Sequence, residues 1–273
     1  MNVEKLRRQL IEITRNNYEF PKTLDINNLA DDMLLALKSP DGNLRDRLTL
    51  ECFFRLIPSG KLSNIKCRAY LKRLIGPEFL LNGLGGEEDD TVFSRAFAPY
   101  VIGVILKYNR EVDNKFLDAT DFAEVLDAGL QVLSEEVDYR GFVDGKGWAE
   151  SIGHIADFFG VMAIDSQYQE EDLKLMLKGL ISKICIGDIN HGVAIFRIAE
   201  AVKIIINRDV IDEEYFSGLV SGMLNMTNSG NETYDIRLKN NRSEFLFGLS
   251  WRLKERFPNF WKITLDAYFE LIQ

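Results

Sequence analysis

Glu150, His154 and Asp157 stand at i, i+4 and i+7 of one stretch, so on a helix advancing about 100° per residue they share a face. One imidazole and two carboxylates could coordinate zinc, manganese or ferrous iron. The spacing permits such a site without specifying it, because the known helical metal motifs pair two histidines and this stretch has one. No metal or cofactor is therefore expected. Alternatively, His154 could act as a general acid-base, since imidazole titrates near neutrality and Asp157, one turn on, could fix its tautomer. Carboxylates at i and i+7 lie about 10 Å apart along a helix axis, at the edge of the separation an inverting glycosidase uses. The plain alternative is a histidine satisfied by a neighbouring group in a structural role.

The run Asp144-Gly145-Lys146-Gly147 comes just before the helix that the pattern predicts to start at Gly147 or Trp148. Backbone N–H groups and a helix dipole there, with Arg140 and Lys146 adding charge, could cradle a carboxylate or phosphate. It is not a P-loop, which needs Gly-x-x-x-x-Gly-Lys-Ser/Thr after a strand. The competing reading is an interhelical turn in which Arg140 pairs with Asp138 or Asp144. Upstream, Glu87, Glu88, Asp89 and Asp90 form an acidic run that could hold a hard cation. Acids before a helix are more simply read as opposing its positive N-terminal end. Arg95, on the first turns of that helix, would be costly to bury unpaired and is expected to reach an acid such as Asp138 or Asp144. His191 heads an apolar stripe of Ile195, Ile198 and Val202 and reads as a core or cap histidine. No nucleophile elbow, zinc knuckle or kinase signature is present.

These residues need elements to position them, and the apolar period is helical throughout. Helices are predicted near 3–18, from Asp25, 44–57, 63–75, 91–108, 121–137, from Trp148, 171–185, 191–206, 211–226, 238–257 and from Pro258 onward. The helix at 91–108 is apolar nearly all round and should be central. In the Trp148 helix, Trp148, Ile152, Ile155, Phe159 and Met162 form one buried stripe. Phe158 and Val161 lie among the ionisable residues of its other side, so that side should border a partly covered groove. No convincing strand pair is seen. The expected fold is all-α, about six antiparallel helical hairpins in a HEAT-like α-α superhelix over a single domain, 1–273. A closed α/α toroid is the alternative. Aromatic residues from Phe245 to Phe269 are read as sealing the final hairpin.

With 42 acidic and 33 basic residues the chain carries −9, which disfavours nucleic acid or an anionic membrane as the main partner. Three scattered cysteines, no signal-peptide pattern and no apolar run long enough for a membrane span point to a cytoplasmic protein. The run RGFVDGKGWAESIGHIAD resembles the signature of an uncharacterised bacterial family, domain of unknown function 2785. LGGEEDDTVFSRAFAPYVIGVIL resembles that family's acidic loop and the helix after it, opening with an Arg-aromatic pair. In the family pattern a second histidine often stands at the place of Glu150. The resemblance implies a HEAT-like all-helical fold and no established activity.

The reading that follows is a non-catalytic helical scaffold whose concave face binds a protein segment or a small anionic ligand. Its candidate site comprises Arg95, Arg140, Asp144, Lys146, Trp148, Glu150, His154 and Asp157. The rival is a hydrolase-type enzyme on an α/α toroid, using His154 with Glu150 and Asp157. The sequence carries no prediction of oligomeric state.

Overall fold

Short polar residues start several of the helices by taking up an N–H that the first turn leaves without a partner. Asn2 accepts from Lys5 N–H ahead of α1 (Val3–Arg15), Asp25 from Asn28 ahead of α2 (Ile26–Ala36), and Ser63 from Lys66 ahead of α4 (Asn64–Leu74). Between α2 and α4 a π-helix, Asn43–Leu50, continues directly into α3, Glu51–Leu56. The structure, a computed structural model, describes residues 1–187, 192–226 and 229–272.

The chain continues through α5 (Thr91–Glu111) and α6 (Ala119–Glu135) to a hairpin of β1 (Phe142–Val143) and β2 (Gly147–Trp148). After it come α7 (Ser151–Ala163), α8 (Glu170–Ile184), α9 (Gly192–Ile206), α10 (Glu213–Leu224), α11 (Glu232–Leu253) and α12 (Pro258–Ile272). The all-α class is as expected, with twelve α-helices among the described residues. Among those residues no helix is long and apolar enough to cross a membrane.

The chain forms two compact units, Met1–Ala128 with Glu135–Ser151, and Gly129–Ser134 with Ile152–Gln273. In the first, α5 is buried nearly all round, as its apolar pattern predicts, and packs against α3, α4 and the π-helix. In the second, α11 packs against both α9 and α12, while α8 and α10 pack against α9 and α12 respectively. Cys52 and Cys67 lie in the first core, where burial pushes their thiols up to about 12 and about 11. Neither is a nucleophile at neutral pH.

Three expectations are corrected. The helix predicted from Gly147 or Trp148 starts at Ser151, and Gly147 and Trp148 belong instead to an antiparallel strand pair with the register Phe142↔Trp148 and Val143↔Gly147. The reason is backbone: Gly145 (φ 72°) and Gly147 (φ 86°) take left-handed conformations that no helical first turn contains. Accordingly Ile152, Ile155, Phe159 and Met162 are buried as predicted, whereas Trp148 is not part of their stripe. The C-terminal aromatics divide: Phe245 and Phe260 seal the core, but Phe247, Trp251 and Phe269 are exposed. Ile195, Ile198 and Val202 are buried; His191, at the head of that stripe, lies outside the described residues.

Candidate functional site

Two-residue strands do not hold a hairpin together in water, so 138–151 must be held from outside. Within the turn, Lys146 N–H donates to the Val143 carbonyl at 3.0 Å. Beyond the strands, Ala149 and Glu150 N–H donate to the Gly141 and Arg140 carbonyls at 2.8 and 2.9 Å. Ala149 is fully buried against Val92 and Phe93 on the first turn of α5.

The main clamp is Arg45, a fully buried arginine of the π-helix. Its Nη1 donates to the Ser39 carbonyl at 2.7 Å, and its Nη2 to the Lys146 and Trp148 carbonyls at 3.0 and 3.4 Å. The guanidinium also lies over the rings of Phe93 and Phe97, 4.2 and 4.5 Å from their centroids. Asp46 supplies the counter-charge, with Oδ1 2.7 Å from Arg45 Nε in an ion-pair contact without hydrogen-bond alignment. Burial lowers the pKa of Arg45 against the pull of Asp46, and burial raises that of Asp46 against the pull of Arg45. The close approach also needs a glycine at 42, because a Cβ there would stand 2.9 Å from the Lys146 carbonyl oxygen.

A second buried arginine fixes the loop that faces the hairpin. Arg95 Nε and Nη2 donate to Glu136 at 2.7 and 3.2 Å, and Nη1 donates to the Asn82 carbonyl and to Thr91 Oγ1 at 2.6 and 2.7 Å. The pair is fully removed from solvent. Glu136 Oε1 in turn accepts from the N–H groups of Val137 and Asp138 at 3.1 and 3.0 Å, setting the entry to the hairpin. The acid that Arg95 reaches is therefore Glu136, not Asp138 or Asp144. Sequence pattern counts Glu136, just past the end of α6, as an ordinary residue, and only its burial distinguishes it.

Asp138 is instead the partner of Arg140, whose Nε lies 2.9 and 3.1 Å from the two carboxylate oxygens, as the interhelical-turn reading allows. Arg140 Nη2 also donates to the Asp89 carbonyl at 2.7 Å, and Lys146 Nζ pairs with Asp90 at 2.7 Å. Both cations of the turn thus bind the acidic loop. Asp89 accepts from Thr91 N–H at 2.8 Å at the start of α5, and the hydrogen bond from the Thr91 hydroxyl holds its carboxyl below the usual range. Of the four acids, Asp89 alone is seen to take up an N–H at the helix start; Asp90, the N-cap residue, makes no side-chain cap bond. Asp144 is exposed in the turn. The anion cradle lacks its helix: Gly147 leads into strand β2, and α7 does not begin until Ser151.

What the clamp presents is a pair of rings. Phe142 is 61% exposed and Trp148 45%, and they meet edge to face with centroids 5.4 Å apart.

The helical triplet is placed otherwise than its spacing implies. Glu150 precedes α7 with φ 21°, in the first unit, so helical register does not relate it to the other two. His154 and Asp157 are on α7 in the second unit; His154 is buried, and Asp157 forms an ion pair with Arg197 of α9. Phe158 is buried beside them. Among the described residues no group of three or more His, Cys, Asp or Glu is arranged to hold a metal ion.

These features define an all-α protein carrying a clamped aromatic hairpin. The chain belongs to the family described as Protein of unknown function (DUF2785), whose profile matches residues 80–250. That span contains both runs on which the resemblance was read, including the hairpin and the acidic loop. No curated protein and no solved structure matches the chain.

Proposed function

We propose that this protein is a non-catalytic scaffold of HEAT-like helical pairs that binds a segment of another protein in the bacterial cytoplasm, with the hairpin of the first unit as its recognition element. The observation that carries this reading is the Phe142–Trp148 pair, held in water by a backbone clamped through Arg45. Large aromatic side chains dominate the energetics of protein interfaces. A contact surface that is already ordered loses little conformational entropy when a partner docks, so a rigid mount raises affinity. Of the two ligand classes expected, a protein segment is better supported than a small anion. Arg140 and Lys146, the cations that would bind an anion, are already neutralised by Asp138 and Asp90. The cytoplasmic assignment is supported by free thiols at Cys52, Cys67 and Cys185.

The test is photo-crosslinking in the native cell from a reactive amino acid placed at Phe142, compared with one placed at Ile65, which is 85% exposed elsewhere in the same unit. A discrete protein crosslinked from 142 and absent from 65, and lost when Trp148→Ser is added, is the expected outcome. Identical patterns from both positions would sink the reading.

A further inference from the structure

The charges beside the hairpin restrict what kind of segment it can bind. Two loops meet there, the hairpin's own turn and the acidic run at 87–90. They are held side by side, because the Asp89 carbonyl accepts from Arg140 at the start of the hairpin and Asp90 pairs with Lys146 in its turn. Each cation at this junction already has an acid. Arg140 is bound to Asp138, Lys146 to Asp90 and the buried Arg45 to Asp46. Arg47 is exposed on the π-helix two positions from Arg45, about half a turn round from the side that meets the hairpin.

Three acids are left over. Glu87, Glu88 and Asp144 are exposed, and among the described residues no cation stands within ion-pair distance of any of them. The hydrogen bond to Asp138 raises the pKa of Arg140 and the Glu88 carboxylate adds to the rise, which places Glu88 near the base of the hairpin. The balance beside the rings is therefore negative, in keeping with the −9 of the whole chain. The rings themselves suit a cation. Phe142 and Trp148 stand at 79° to each other with centroids 5.4 Å apart, so they bound a corner between two π faces that is open to water. Such faces carry partial negative charge and attract ammonium and guanidinium groups, and a planar guanidinium can also stack flat on one ring. We infer that the segment bound by the hairpin is basic, with an arginine side chain in the corner of Phe142 and Trp148 and neighbouring cations paired with Glu87, Glu88 and Asp144. This rests on the hairpin being the recognition element and adds the charge of its partner. Because the acids come from two loops, a segment of several residues engages them together where a single small cation does not.

The probe is a fluorescein-labelled nonapeptide alternating arginine and serine, titrated with the full chain at low ionic strength and read by anisotropy. Neutralising Glu87→Gln, Glu88→Gln and Asp144→Asn together should weaken binding about tenfold, the effect of losing three exposed ion pairs. Glu244→Gln, Glu255→Gln and Glu270→Gln together remove the same charge from exposed positions of the second unit and should leave binding unchanged, which separates local pairing from general attraction to an acidic chain. Trp148→Leu should weaken binding about fivefold. A lysine-serine peptide of equal charge should bind less tightly than the arginine peptide, since ammonium does not stack. All three variants change exposed side chains, and matching thermal melts show that the fold is kept. A wild type that does not bind the peptide, equal losses in the two triple variants, or indifference to Trp148→Leu overturns the inference. The crosslink from position 142 judges the scaffold reading separately: a captured partner whose crosslinked segment is acidic leaves that reading standing and overturns this one.

Discussion

The two exposed aromatic pairs, Phe142 with Trp148 and Phe247 with Trp251, display similar chemistry on opposite kinds of support. The first stands on strands of two residues, held by an arginine 103 positions away in the sequence from Trp148. The second needs nothing beyond a 22-residue helix, which places residues four apart on one side. Display of the hairpin is therefore coupled to the integrity of the first core through a partly buried ion pair and three carbonyl contacts. Display of the helix pair depends on no single long-range interaction, so a change in its exposed aromatic residues should leave folding nearly untouched.

The largest effect should come from Arg45→Met. It leaves Asp46 without its buried counter-ion and the carbonyls of Ser39, Lys146 and Trp148 without their donor. A loss of about 3–5 kcal/mol is expected in chemical denaturation, with new protease cleavage confined at first to the hairpin. If Trp148 stays protected in that variant, the hairpin does not depend on the clamp and the contrast between the two supports fails. Glu136→Gln should rank close behind, because it leaves the Arg95 guanidinium buried without an anion; equilibrium unfolding reads the loss.

Gly147→Ala is smaller and more local. A β-carbon at φ 86° strains the backbone, and it would also stand 3.3 Å from Arg45 Nη2. A destabilisation of about 1–2 kcal/mol is expected, accompanied by a change in Trp148 fluorescence that the corresponding change at Gly222, where nothing lies within 4 Å, does not produce.

A pH dependence follows from Asp46. Burial raises its carboxyl above the ordinary value despite Arg45, so the folded chain holds that proton more tightly than the unfolded chain does. The associated stability is fully present below the unfolded value of about 3.9 and is lost as pH rises through the raised folded value. The stability of the wild type relative to Asp46→Asn should therefore fall as pH increases across that window. A difference that is flat, or that rises, would show that the ion pair outweighs desolvation. At the small end, Trp251→Ser should alter stability by no more than about 0.5 kcal/mol. A larger loss in thermal melting would mean that the outer face of α11 supports its own core after all.

Much of the architecture was legible because helices are local. Apolar residues at 3.6-residue spacing, Asp25, Ser63 and Pro258 at helix starts and the turn clusters between them located most of the helices, and the buried sides of α5 and α7 followed from the same period. The predicted helix at 44–57 is instead a π-helix running into α3, and α11 starts at Glu232, six residues before the predicted 238, in a polar first stretch that carries little apolar period. Two short runs were enough to read the family. Misreadings concentrated where helical period was extended across glycines. Trp148 and Glu150 fit the α7 pattern arithmetically, but the positive φ at Gly145 and Gly147 turns the chain into a hairpin before the helix begins. In the acidic loop, the contact of Asp89 with Thr91 N–H at the start of α5 is local, whereas the pairing of Asp90 with Lys146 is not.

By itself, then, the sequence determined the helices, their buried sides and the membership of the chain in its family, all of which rest on interactions among near neighbours. Tertiary structure alone decided which acid meets Arg95, that Arg45 is buried under a hairpin, and which aromatics face water. Those outcomes depend on groups brought together from distant parts of the chain, where desolvation and hydrogen-bond geometry, not periodicity, select the partner.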